Sequence, residues 1–334
     1  MQRVLLGVTL VLCTTASVFS ADYPILRPSY EPGWEVNSEE SLRFEAGLRY
    51  WYAWSKHEHE LSGRSESIDS TSHIGEAFAR VEDDYTRSYV EAYGGYGIAH
   101  DGTYNINGGS NLDLPAVRLG YVGADFAWLA FGNGAGGLGP VVGYQYTNDS
   151  PDTGRFNFTT AQSSSDIAWS SSTGEWTVGG NSEVNNFDIH ALKLGLAGKV
   201  DAGAFDISGE VTSTPYAWVN GSYGAYGLRP GGENDLIQQA SVTSINGFGY
   251  GVGGKAMIGF NPTDNFTVRV GGRASYLQGA YNATFDEAVI TPPALNADGT
   301  EYTAPTLARQ KYVLEDNPFS MLRYGLLLEV AGRF

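Results

Sequence analysis

The chain predicts an all-β fold, a single antiparallel β-barrel of about ten strands that crosses a membrane; eight or twelve strands also fit the pattern. Three observations carry this. Apolar and polar residues alternate with period two in segment after segment. No segment approaches the eighteen consecutive apolar residues of a membrane helix. Short reversals and long polar stretches take turns along the chain, as in outer-membrane barrels.

The N-terminus reads as a secretory signal over 1–20. Arg3 supplies the positive charge, Val4 to Leu12 the apolar run, and Val18-Phe19-Ser20 a cleavage site before Ala21. A lipoprotein signal is the alternative at Leu12-Cys13, although Leu12 is larger than such signals place before the cysteine. Cys13 is the only cysteine, so the processed chain has no disulfide or cysteine metal site. Residues 21–41, with Pro24, Pro28 and Pro32, read as a periplasmic extension, and 42–334 as one barrel domain.

Composition excludes some functions. The net charge is −17 at pH 7. An acidic chain offers no basic stripe to nucleic acid. The 44 glycines and 21 tyrosines sit inside alternating segments rather than in low-complexity tracts, which argues against disorder.

Ten strands are expected at 42–54, 73–82, 86–98, 115–130, 138–148, 186–198, 202–216, 246–260, 265–280 and 320–334. In the first, Leu42, Phe44, Ala46, Leu48, Tyr50 and Tyr52 alternate with Arg43, Glu45, Gly47, Arg49 and Trp51. In the last, Tyr324, Leu326, Leu328 and Val330 alternate with Leu327, Glu329 and Ala331. Tight turns are expected at 82–85, 132–137, 198–202 and 261–265, where Gly, Asn, Asp and Pro cluster. Polar stretches at 55–72, 99–114, 149–185, 220–244 and 282–317 read as extracellular loops.

An Arg or Lys facing lipid at the membrane midplane costs about 2–4 kcal/mol. Charged strand residues are therefore assigned to the lumen: Arg43, Arg49, Arg87, Arg118, Lys193, Lys255, Arg269, Arg273 and Arg323, with Glu45, Glu91, Asp206, Glu210 and Glu329. About eight strands leave just enough room for side chains to fill the interior. Ten strands with long Arg side chains thus predict a largely plugged lumen. Trp and Tyr at strand ends predict interfacial girdles, with Tyr50, Trp51, Tyr52, Trp54, Tyr144 and Tyr146 at the outer one.

The terminal strand, closing on Phe334, resembles the C-terminal strand of Gram-negative outer-membrane barrels, with Gly332 in place of a bulkier apolar residue. That resemblance implies location in the outer membrane, contact with its lipid and lipopolysaccharide, and recognition of Phe334 by the barrel-assembly machinery. The strand plan, with Leu138-Gly139-Pro140-Val141-Val142-Gly143-Tyr144-Gln145 and the hairpins at 187–211 and 248–281, resembles the omptin family of ten-stranded outer-membrane proteases. Omptins activate water with an Asp-His pair facing two Asp residues at the rim. Here Asp188-Ile189-His190 has the spacing but lies one hairpin too early. The corresponding segment, 217–244, holds no His. His100 and Asp101 are the residues that would have to face Asp188 and His190, and no catalytic residue is assigned.

Two local motifs carry other chemistry. His57-Glu58-His59-Glu60 puts two imidazoles on one face if extended, but a structural metal site needs about four ligands; it is read as a polar loop. Gly132 to Gly137 lacks the ending of a phosphate loop. No cofactor and no metal are expected. The functional reading is a structural or surface-interaction barrel. A narrow channel for small solutes is the alternative, and an omptin-like surface protease the second.

Overall fold

The computed structural model describes residues 42–114, 117–157, 186–223, 243–291 and 306–334, except positions 62, 115–116, 134 and 264, with short strand pieces within 167–184 and 229–241. The signal, the extension and parts of the long loops lie outside the described residues. Ten long strands form a ring: β1 Leu42–Leu61, β2 Arg64–Asp83, β3 Ser88–Ile106, β4 Val117–Trp128, β5 Gly136–Asn157, β6 Asn186–Ala202, β7 Phe205–Tyr223, β8 Thr243–Thr263, β9 Phe266–Thr291 and β10 Thr306–Arg333. Each pairs antiparallel with its neighbours in sequence. The ring closes where β1 meets β10, in register from Glu45 opposite Arg333 to His59 opposite Phe319. At the lower end of that seam the Phe334 amide donates to the Phe44 carbonyl at 2.8 Å. Closure leaves no unpaired edge in the membrane, which hydrocarbon would not tolerate.

The strands are long. About 9–11 tilted residues cross a membrane, yet β1 and β2 have 20 residues each, β9 has 26 and β10 has 28. The surplus lies at one end, called upper here. Short reversals at 84–87, 203–204 and after Thr263 mark the other, lower end. Gly203 takes φ +69° in the tightest of these, a conformation that favours glycine.

The segment 55–72 is therefore not a loop. β1 and β2 run on as a hairpin up to the pair Leu61 and Arg64. Much of 99–114 and 282–317 is likewise strand. The physical reason is a change of solvent up the wall. In the lower half Leu48, Val122, Leu194, Val211, Ile258 and Leu326 point outward and are exposed, as lipid contact requires. Higher up, Lys56, Glu58, Glu60 and Asp69 face out while Leu61 and Ile68 face in. The apolar alternation that marks a membrane strand has inverted. Bulges also shift its phase: at Ile98 on β3, at 215–216 on β7 and at 315–316 on β10.

Aromatic residues mark the changeover. Tyr52, Trp54 and Tyr324 pack together, with Trp54 stacked on Tyr324 at 5.6 Å between centroids. Further round the ring, Tyr144, Tyr146, His190 and Trp218 form a second cluster. Phe44, Trp128, Phe205, Phe260 and Phe266 are exposed near the lower ends. Two girdles thus bound an apolar band, as the membrane interfaces dictate.

Candidate functional site

Among the described residues most charged side chains of the strands converge in the lumen, which has three levels. Glycines opposite the bulkiest inward groups make room for them. A side chain at Gly143 would collide with the Asp125 carboxylate, and one at Gly95 with the Tyr121 ring.

At the lowest level the Arg269 guanidinium (β9) donates to Glu45 on β1 at 2.6 Å, to Asp206 on β7 at 3.0 Å, and to Glu329 on β10. Arg333 joins two of these carboxylates, at 3.1 Å from Glu45 and 3.5 Å from Asp206. One level up, Arg49 donates to Glu76 and Glu91 at 2.8 Å each and to Glu329. Its guanidinium lies over the Phe78 ring, 3.7 Å from the centroid. Glu91 also accepts from Arg80, and Glu76 from Arg273 at 2.9 Å. Lys193 reaches from β6 to Asp125 at 2.8 Å and to the Tyr93 hydroxyl at 2.9 Å. Some of these contacts join paired neighbours, as Arg49 does with Glu76 and Glu329; others skip one or two strands, as Arg269 does to Glu45 and Asp206 and Arg273 to Glu76. Taking such charges out of water costs several kcal/mol per ion, offset only when each is paired and hydrogen-bonded.

Above this lattice lies a cavity of about 160 Å³. Lys193, Lys255, Arg273, Asp125 and Glu210 line it below; His57, Ile68, Ile189, Leu277 and Met321 line it above. Arg323 crosses beside it to Asp149 at 2.8 Å and to Ser55 at 2.8 Å. The third level is a buried apolar cluster of Leu61, Phe187, Ile189, Val219, Tyr223, Ile245, Tyr281 and Phe319.

The residues assigned to the lumen from sequence are placed as follows. Glu45, Arg49, Glu91, Asp206, Arg269 and Glu329 are buried in it, and Lys193, Glu210, Lys255, Arg273 and Arg323 line it. Three arginines lie elsewhere. Arg43 is on the inward face but half-exposed at the lower mouth, 2.5 Å from Asp84. Arg87 sits in the 84–87 turn with φ 54° and donates to the Gly132 carbonyl, because β3 starts two residues later than predicted. Arg118 faces outward, on the side of β4 opposite buried Leu119 and Tyr121. It tops that strand beside Tyr96, Tyr146 and Asn148, clear of the midplane, so its charge meets water or headgroups.

Sequence reasoning missed Glu76, Arg80, Asp125, Asp149 and Arg333. Signals existed for three of them: Glu76, Phe78 and Arg80 alternate with Ala77, Ala79 and Val81. Asp125 falls in phase with Leu119 and Tyr121, the phase Arg118 does not share.

The rim set does not assemble. His100 faces inward and is hydrogen-bonded to Ser72 Oγ at 2.8 Å. Asp101 is exposed on the outer face. Asp188 accepts from Tyr146 and Asn148, and His190 pairs with Tyr144 and stacks on Trp218, all on the outside of the wall. The sheet itself separates His190 from His100. The stretch His57 to Glu60 is strand, not loop. His57 and His59 are buried inward with ring centroids 5.1 Å apart. His59 is hydrogen-bonded to Tyr223, and Phe187 packs on both imidazoles. Among the described residues no group of three or more His, Cys, Asp or Glu is arranged to hold a metal ion.

No family model matches the chain, and no curated protein does. Solved structures do. The outer membrane protease OmpT from Escherichia coli is similar with a TM-score of 0.53 and 11% identity, over 89% of this chain and 98% of that one. The translocator domain of the autotransporter NalP from Neisseria meningitidis matches with a TM-score of 0.31 and 12% identity, over 88% of each chain. The toluene transporter TodX from P. putida gives 0.30 and 10%, over 88% of this chain and 90% of that one. At such identities the likeness speaks of fold alone. Joined to the closed ring, the apolar outer band and the charged interior, the likeness to OmpT identifies the fold as an all-β transmembrane barrel of the outer-membrane type, with an omptin-like strand layout.

Proposed function

We propose that this barrel is non-conducting and non-enzymatic, and that its role is structural or one of surface interaction through the tall wall and rim above the membrane. One observation carries the reading: ion pairs tie together strands on opposite sides of the lumen, Lys255 on β8 to Glu91 on β3 at 3.6 Å and Lys199 on β6 to Glu82 on β2 at 3.3 Å. A solute would have to break several buried pairs to pass, each costing several kcal/mol. The chain is read as exported by its N-terminal signal and assembled through Phe334, with lipid and lipopolysaccharide around it. Planar-bilayer recording tests the proposal. The refolded protein is expected to be silent at all voltages, and discrete ohmic steps would favour the narrow channel instead.

The protease reading rests on the layout shared with OmpT. Against it stands the separation of His100 from Asp188 and His190 by the thickness of the sheet. Cleavage of a peptide library by the refolded protein with lipopolysaccharide present would revive it.

A further inference from the structure

The cavity between the ion lattice and the apolar cluster has the attributes of a binding site. Its volume of about 160 Å³ corresponds to roughly ten waters, at about 10–15 Å³ of accessible volume each. An organic molecule of about ten heavy atoms occupies similar space.

Its polar lining is incompletely used. Lys255 and Glu210 face each other in register across β7 and β8. Yet the ammonium is 3.8 Å from the Glu210 carboxylate and 3.6 Å from Glu91, beyond hydrogen-bonding range. At the opposite end His57 is 5% exposed, and among the described residues neither of its buried ring nitrogens has a hydrogen-bond partner. A buried imidazole left unpartnered carries an uncompensated desolvation cost, so a group that satisfies it is favoured there. Around His57 the lining is apolar: Ile68, Ile189, Leu277 and Met321.

The charges decide what fits. Positive and negative groups alternate on the cavity floor, Lys255 and Lys193 against Glu210 and Asp125. A lone anion or cation would leave one sign unmatched in a water-poor interior. A molecule with both signs would not. We propose that the cavity binds a small zwitterion of amino-acid size: its carboxylate on Lys255, its ammonium on Glu210, and a side chain with an apolar stem and a hydrogen-bonding tip directed at His57. This assignment rests on the lumen being closed at membrane level, which bilayer current tests separately.

The experiment is refolding of the full chain into detergent with each proteinogenic amino acid, then equilibrium dialysis with glutamine as the first labelled probe. An amino acid is expected to be retained near one per barrel, with its des-amino and decarboxy analogues at least about tenfold weaker, since a charged hydrogen bond is worth about 1.5–3 kcal/mol. Glu210→Gln and Lys255→Gln should each lose retention, and the exchanged pair Glu210→Lys with Lys255→Glu should regain it. His57→Phe should weaken glutamine and spare norleucine. Heat-modifiable migration on gels reports that each variant has folded. Retention of no amino acid by the folded wild type, or equal retention of the singly charged analogues, overturns the assignment. A current without loss of binding would instead overturn the closed lumen alone.

Discussion

The lower and upper halves of this barrel are built on opposite rules from the same ten strands. In the lower half Leu48 and Leu326 face out while Arg49 and Glu329 face in. In the upper half Lys56 and Glu58 face out while Leu61, Phe187 and Tyr281 face in. Apart from the bulges on β3, β7 and β10, the antiparallel pairing runs unbroken through both. What changes is the medium outside the wall, hydrocarbon below and water above. The upper half obeys the logic of a soluble β-barrel, with an apolar core and a polar skin. The lower half inverts it, and must then stabilise a charged interior by pairing.

The largest effect expected from this contrast comes from removing one partner of the lower lattice. Arg49→Ala should destabilise the barrel by about 3–5 kcal/mol, because Glu329, Glu76 and Glu91 lose a shared counter-ion. Urea unfolding of the refolded protein in lipid measures it, and adding Glu329→Gln should recover part of the loss. A smaller change would mean that water reaches these carboxylates.

Next comes a paired test of the two exteriors. Val211→Arg, on the outward face within the apolar band, should cost about 2–4 kcal/mol. Ser244→Arg, exposed on the upper outer face of β8, should stay within about 0.5 kcal/mol of wild type by the same titration. Equal costs at the two positions would erase the distinction between the halves.

A gentler probe addresses the upper core. Ile245 is fully buried against Phe187 and its neighbours, so Ile245→Val should cost about 0.5–1.5 kcal/mol. The same change at lipid-facing Ile258 should cost less, because lipid tails fill the missing volume. Smallest of all, Asp101→Asn should leave stability unaltered within about 0.5 kcal/mol, since Asp101 is an exposed outer-face residue.

The same contrast explains what the amino-acid sequence disclosed. Where lipid lies outside, as from Leu42 to Tyr52 and from Tyr324 to Val330, alternation of greasy and charged residues is unmistakable, and strand number and lumen charges followed from it. Above the girdle the contrast fades. The run Ser65 to Ser72 is polar on both faces apart from Ile68, so it reads as loop although it is strand. Bulges did further damage to phase counting: an extra residue at Ile98 turns His100 inward and Asp101 outward. Charge alone points Arg118 into the lumen, whereas its phase relative to inward Leu119 and Tyr121 puts it outside. The cavity and the unpartnered His57 depend on packing across the ring, and no local pattern encodes that.

The height of the wall has a practical meaning. A detergent micelle clothes only the greasy lower cylinder, so the upper strands from Lys56 to Asp69 stand clear of it as ordinary aqueous surface. Unlike the pliant loops that antibodies usually meet on such barrels, this surface is a hydrogen-bonded sheet. A nanobody raised against it would grip a rigid epitope, giving a handle for purification or imaging on whole cells without disturbing the interior.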